Sequence, residues 1–221
     1  MMLKNFEWLY PNADHTPENL DIFDKITMDA MTVTNAELAQ VMEMQLSTLQ
    51  DPPTELGSHF YLRSWAMTGE QLQILLDYLA RNELRFEETD AWRKVLHLHH
   101  HGHVSAPTHY TLRYMGMEEG PRRPIDRYYE DLDKRRSGIL IEVIRALEEC
   151  LPEVTAAVEV HSLPSAYLQP ESHLYADDVE RVLIEFFHHP TLINRQRGGF
   201  YSSYVPSSDD ADVFKAMKTN F

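Results

Sequence analysis

Tyr110-Thr-Leu-Arg-Tyr-Met-Gly116 is the stretch on which the fold of this chain turns. Aromatic and branched side chains alternate along it and glycine closes it, which predicts a β-strand. Upstream, Trp92-Arg-Lys-Val-Leu-His-Leu-His99 also alternates and predicts a partner strand, with the Gly102-, Ser105- and Pro107-containing segment to His109 as the loop between them. Downstream the spacing changes. Ile125, Tyr128 and Leu132 recur at helical intervals, and Ser137 is placed to cap a second helix carrying Ile139, Leu140, Val143, Ile144, Leu147 and Leu151, which Pro152 ends. Thr155-Ala-Ala-Val-Glu-Val-His161 reads as a third strand. Tyr175 to His188 reads as a last helix, with Val179, Val182, Leu183, Phe186 and Phe187 inward. The order β-β-α-α-β-α predicts an α+β fold, a small three-stranded antiparallel sheet flanked by helices.

Residues 1–88 read as a helical N-terminal region preceding that α+β domain at 89–197, with 198–221 as an arm or tail. Pro17 opens one helical segment, with Leu20, Ile22, Phe23 and Ile26 on one side. Thr34-Asn35 opens another, whose apolar spacing continues through Leu38, Val41, Met42, Met44 and Leu46. Thr68-Gly-Glu-Gln71 is a capping-box pattern ahead of Leu72, Leu75, Leu76 and Leu79.

Composition narrows the class. The 221 residues are 43% hydrophobic and 25% charged, an ordinary globular balance that excludes collagen-like and disordered chains. No apolar run approaches the roughly 18 residues of a membrane span, and the first residues lack a secretory apolar core. The single Cys150 excludes an internal disulfide framework and a cysteine-based zinc module, so a reducing intracellular setting, cytoplasm or nucleus, is expected. Thirty-five acidic residues against 20 Lys and Arg give a net charge of −15, which opposes broad attraction to nucleic acid. The basic residues are nevertheless concentrated, seven of them between Arg113 and Arg136.

From about residue 90 to 197 the chain resembles the GIY-YIG endonuclease domain. Tyr114-Met115-Gly116 meets its tyrosine-apolar-glycine motif. Arg127, followed by Tyr128, sits in the phase of its helical arginine, with Arg123 ranked second. Glu180-Arg-Val-Leu-Ile-Glu-Phe-Phe-His-His-Pro190-Thr-Leu-Ile-Asn194 follows its glutamate-to-asparagine helix. No Gly-Ile-Tyr precedes Tyr114, and His97, after Val95-Leu96, takes that tyrosine's place, with His99 as the alternative if the strand register is shifted by two. Strand alternation then sets His97, His99 and Tyr114 on one face. The resemblance implies a divalent-metal-dependent endonuclease hydrolysing DNA. Glu180 would hold Mg²⁺ or Mn²⁺, Arg127 would stabilise charge on the phosphate, Tyr114 or His97 would orient or deprotonate water, and Asn194 would position the metal-side helix or a phosphate.

Two other readings follow from the same residues. A GIY-YIG-like fold without its first tyrosine suits a non-catalytic binding or regulatory protein. His97, His99, His100, His101 and His103 within seven residues suit a His-rich metal-binding protein, because a strand would set His97, His99 and His101 on one face.

Overall fold

Three helices begin where a threonine supplies the missing hydrogen-bond partner. The computed structural model describes residues 16–42, 44–46, 58–84, 87–100, 109–119, 126, 129–130, 138–163, 176–187 and 189–194. Helix α1 (Pro17–Asp29) starts with Thr16 Oγ1 accepting from the Asn19 N–H at 3.3 Å, and Pro17 occupies a first turn that needs no N–H. Helix α2 (Asn35–Val41) has a reciprocal cap, in which the Glu37 N–H donates to Thr34 Oγ1 and the Thr34 N–H to Glu37 Oε2. Helix α3 (Gly69–Arg81) repeats the device with Thr68 and Gln71, as its sequence predicts. Helices α4 (Glu87–His100), α5 (Ile139–Cys150), α6 (Pro152–Ala156) and α7 (Ala176–Phe186) are the other α-helices among the described residues.

These helices cover an antiparallel sheet, so the α+β class holds. Its strands are β1 (Gln45–Leu46), β2 (Ser58–Met67), β3 (Tyr110–Glu119) and β4 (Glu159–Ser162), in the spatial order β1-β4-β2-β3. Three of them form the body of the sheet, and the two-residue β1 extends it beyond β4. Central β2 pairs along its whole length with β3, from Ser58 opposite Glu119 to Met67 opposite Tyr110. On its other side Tyr61 faces Ser162 and Ser64 faces Glu159.

Alternation divides the sheet into two buried faces. Phe60, Leu62 and Met115 point to one, where they meet Ile22, Phe23 and Ile26 of α1, Leu38 and Val41 of α2, and Val179, Leu183 and Phe186 of α7. Trp65, Met67, Tyr110 and Leu112 point to the other, under α3, α4, α5 and Val154 of α6. Among the described residues no helix is long and apolar enough to cross a membrane.

Several expected elements differ. Trp92–His99 is not a strand but the body of α4. Trp92, Leu96 and His99 are buried at helical intervals, while Leu98, which an inward strand position would bury, is 50% exposed. The first strand comes instead from 58–67, inside the region expected to be wholly helical. Both its faces are covered, so its sequence lacks the apolar–polar alternation of a half-exposed strand. Helix α2 stops at Val41, and Gln45–Leu46 form β1 rather than further helical turns. Pro152 does not merely end α5: it opens α6, and the third expected strand starts four residues late, at Glu159. The last helix matches expectation, with Val179, Leu183, Phe186 and Phe187 buried.

Candidate functional site

The residue opposite Tyr114 on the neighbouring strand is Arg63, and the one opposite Gly116 is Tyr61. All four positions lie on the same sheet face, at the end beyond Trp65 and Leu112. A Cβ at residue 116 would fall on the Tyr61 ring, so glycine there is what lets that ring lie across β3. The rings of Tyr61 and Tyr114 are 6.3 Å apart and tilted by 44°. The Arg63 guanidinium sits 5.1 Å from the Tyr61 ring centre and 5.5 Å from that of Tyr114, and its Nη2 donates to Tyr61 Oη at 3.3 Å. Arg63 is 0% and Tyr61 2% exposed, whereas Tyr114 is half-buried.

Asn194 lies beyond α7 and reaches the same strand from its outer edge. The Met115 N–H donates to Asn194 Oδ1 at 2.8 Å, and Asn194 Nδ2 donates to the Met115 carbonyl at 2.7 Å. The Ile193 N–H donates to the Arg113 carbonyl at 2.8 Å. The segment after α7 thus docks on β3 in place of a further strand and ties the motif Tyr114-Met115-Gly116 to the helix that carries Glu180.

Glu180 is half-buried near the start of α7. The apolar side of α7 packs on the Leu62 and Met115 face, opposite to the one that holds Tyr61 and Tyr114. The described contacts therefore do not bring Glu180 and the tyrosines to one face; β3, the strand between them, is the sheet's outer strand. Arg123 and Arg127 lie outside the described residues. His97 is an exposed residue of α4, so it does not stand beside Tyr114 on a strand. The tyrosine ring near Tyr114 is that of Tyr61 on β2, a pairing hidden by reading residues 1–88 as helical.

Two more expectations change. His99, the alternative to His97, is buried, with Nε2 3.3 Å from Asp29 Oδ2 and Nδ1 3.1 Å from Tyr110 Oη. This chain ties α4 to the end of α1 and to β3, and burial together with the Asp29 charge pushes the Tyr110 hydroxyl up. Among the described residues no three His, Cys, Asp or Glu side chains gather as a metal-holding group, and His101 and His103 of the histidine cluster lie outside the described residues. Arg113, the first member of the basic concentration, is 1% exposed and turned inward. It donates to the Ala30 and Val33 carbonyls and to Asn35 Oδ1, closing the turn between α1 and α2, and burial pushes it down to about 9.

No protein-family model matches the chain, and neither a curated protein nor a solved structure matches it.

Proposed function

We propose that the protein is a divalent-metal-dependent endonuclease, hydrolysing DNA phosphodiester bonds by a GIY-YIG-like mechanism. The observation that carries this reading is the Tyr61–Tyr114 pair on adjacent antiparallel strands, with Gly116 opening the space for the first ring. It supplies the two tyrosines that the resemblance implies, the first from residue 61 rather than 97. Tyr114, the more exposed of the two, orients the attacking water or accepts its proton, and Tyr61 shares the hydrogen bonding. Arg127, with Arg123 as second choice, pairs with the phosphate in the fork geometry that favours arginine. Asn194 holds α7 against the motif strand.

Glu180 is the chain's candidate ligand for Mg²⁺ or Mn²⁺. Such an ion keeps several waters and takes further oxygens from a substrate phosphate, so one carboxylate would be enough to hold it, but α7 packs on the sheet face opposite Tyr61 and Tyr114 and the described contacts do not set Glu180 beside them. When bound, the ion supplies Lewis-acid stabilisation of the phosphate oxygens. An intracellular location accompanies this reading, consistent with a lone Cys150 whose thiol burial pushes up and away from thiolate reactivity.

A second reading, a non-catalytic binding or regulatory protein, is favoured by the burial of Tyr61 and Arg63 and by the charge of −15. Mg²⁺-dependent cleavage of supercoiled, branched and single-stranded DNA, with Glu180→Ala beside the wild type, separates the two. The endonuclease reading expects nicking that Glu180→Ala abolishes while the variant stays folded. Failure of the folded wild type to cut any substrate selects the binding reading.

A further inference from the structure

Arg63 belongs to none of the expected site residues, yet the tyrosine cluster is built around it. A guanidinium is a costly way to fill a buried core position that leucine or methionine would fill. Its placement has a geometric logic. Residues 61 and 63 share a face of β2, Tyr114 stands opposite Arg63, and the planar guanidinium lies against both rings. A guanidinium only donates. Its bond to Tyr61 Oη therefore occupies a lone pair of that oxygen and turns the hydroxyl proton towards another acceptor.

We propose that Arg63 is a positioning residue for the tyrosine pair, fixing the direction of the Tyr61 hydroxyl proton and holding both rings against one cation. The inference rests on the endonuclease reading for its consequence in catalysis, but its physical content stands on the cluster alone. A positive charge beside a phenol favours the phenolate, whereas burial of the hydroxyl opposes it. On this face β4 offers Val160 and Ser162, and α6 offers Glu153, exposed and hydrogen-bonded to Gln71; His161 and Glu159 lie on the other face.

The test is a ¹³C NMR titration of the full-length chain labelled at tyrosine Cζ, with Tyr61→Phe assigning the Tyr61 signal. Arg63→Met keeps the apolar stem and removes the cation, while Arg63→Lys keeps the charge without the planar fork. Tyr61 is expected to ionise about one pH unit higher in Arg63→Met than in the wild type, with Arg63→Lys between them. Nicking at neutral pH is expected to fall about tenfold in Arg63→Met, with the ascending limb of its pH profile, which reports formation of the phenolate, displaced in the same direction. Identical Tyr61 titration in wild type and Arg63→Met overturns the proposal, whether or not the protein cuts DNA. A displaced titration with no cleavage, wild type included, upholds the effect of Arg63 on Tyr61 and overturns the endonuclease reading instead. If Arg63→Met does not fold, Tyr61→Phe provides the second arm, because it keeps the ring over Gly116 and deletes only the acceptor. The Arg63 guanidinium signals should then shift, and unchanged signals overturn the proposal.

Discussion

Replacing Asn194 with alanine removes both halves of the clasp that docks the end of α7 on β3. The Met115 N–H loses an acceptor at 2.8 Å and the Met115 carbonyl a donor at 2.7 Å. Met115 is fully buried and Asn194 nearly so, which leaves little room for water to replace the lost partners. A buried backbone group without a partner costs about 1–3 kcal/mol. Two such groups, with partial relaxation of an edge segment, give about 2–4 kcal/mol. At a urea dependence of about 2–3 kcal/mol per molar, the unfolding midpoint should fall by about 1 M or slightly more. Equilibrium urea unfolding followed by tryptophan fluorescence is the assay, since Trp65 and Trp92 are fully buried, one on the sheet and one on a helix. Asn194→Asp sharpens the argument. It keeps an acceptor for the Met115 N–H but sets a carboxylate oxygen against the Met115 carbonyl, so its loss at neutral pH should equal or exceed that of alanine. Below about pH 4, where the protonated carboxyl can donate, part of the loss should return. An alanine variant within about 0.5 kcal/mol of the wild type would refute the clasp as an element of stability.

Two further outcomes are expected. Gly116→Ala should destabilise by about 1–3 kcal/mol because its methyl group meets the Tyr61 ring, and the same change in a Tyr61→Ala background should cost clearly less, a coupling read by a double-mutant cycle in urea. His161 is held below its ordinary value mainly by burial and also by the Arg113 charge, against an opposing contribution from Glu159, so the folded state resists its protonation. As pH falls through the ordinary histidine range the unfolded chain gains a proton that the native chain does not. Stability should therefore decline on acidification there, and His161→Gln should flatten that part of the profile in urea unfolding at a series of pH values.

The helices were legible where their signals are local. Thr68 and Gln71 announce α3, and the spacing of Val179, Leu183 and Phe186 announces α7, because a cap and one apolar face lie within a few residues of each other. The strands were less so. His59-Phe-Tyr-Leu-Arg-Ser-Trp-Ala-Met67 buries both faces, and the partners that make it a strand lie far along the chain. Conversely, Val95, His97 and His99 alternate with Leu96 and Leu98 by coincidence, while Trp92, Leu96 and His99 keep the helical period that packing rewards. The site followed the same division. Tyr114, Gly116 and Asn194 could be singled out from one contiguous strand and one contiguous helix end. Tyr61 and Arg63 could not, because their significance comes from standing opposite Gly116 and Tyr114.

The pairing order of the sheet also sets a schedule for building it. Central β2 is made early in the chain, but its neighbours are β3, which begins at Tyr110, and β4, which ends at Ser162. Neither can be met through a tight hairpin, and Tyr61 waits about a hundred residues for Ser162. During synthesis, β2 leaves the ribosome as an apolar, aromatic segment with both edges open, the form of chain most prone to pair with another copy of itself. Only when β4 arrives is the second edge of β2 covered, and only when residues 193 and 194 follow is the outer edge of β3 docked. Any truncation before that point would leave a sheet with an exposed edge, so the far end of the described chain is where assembly of the sheet is completed.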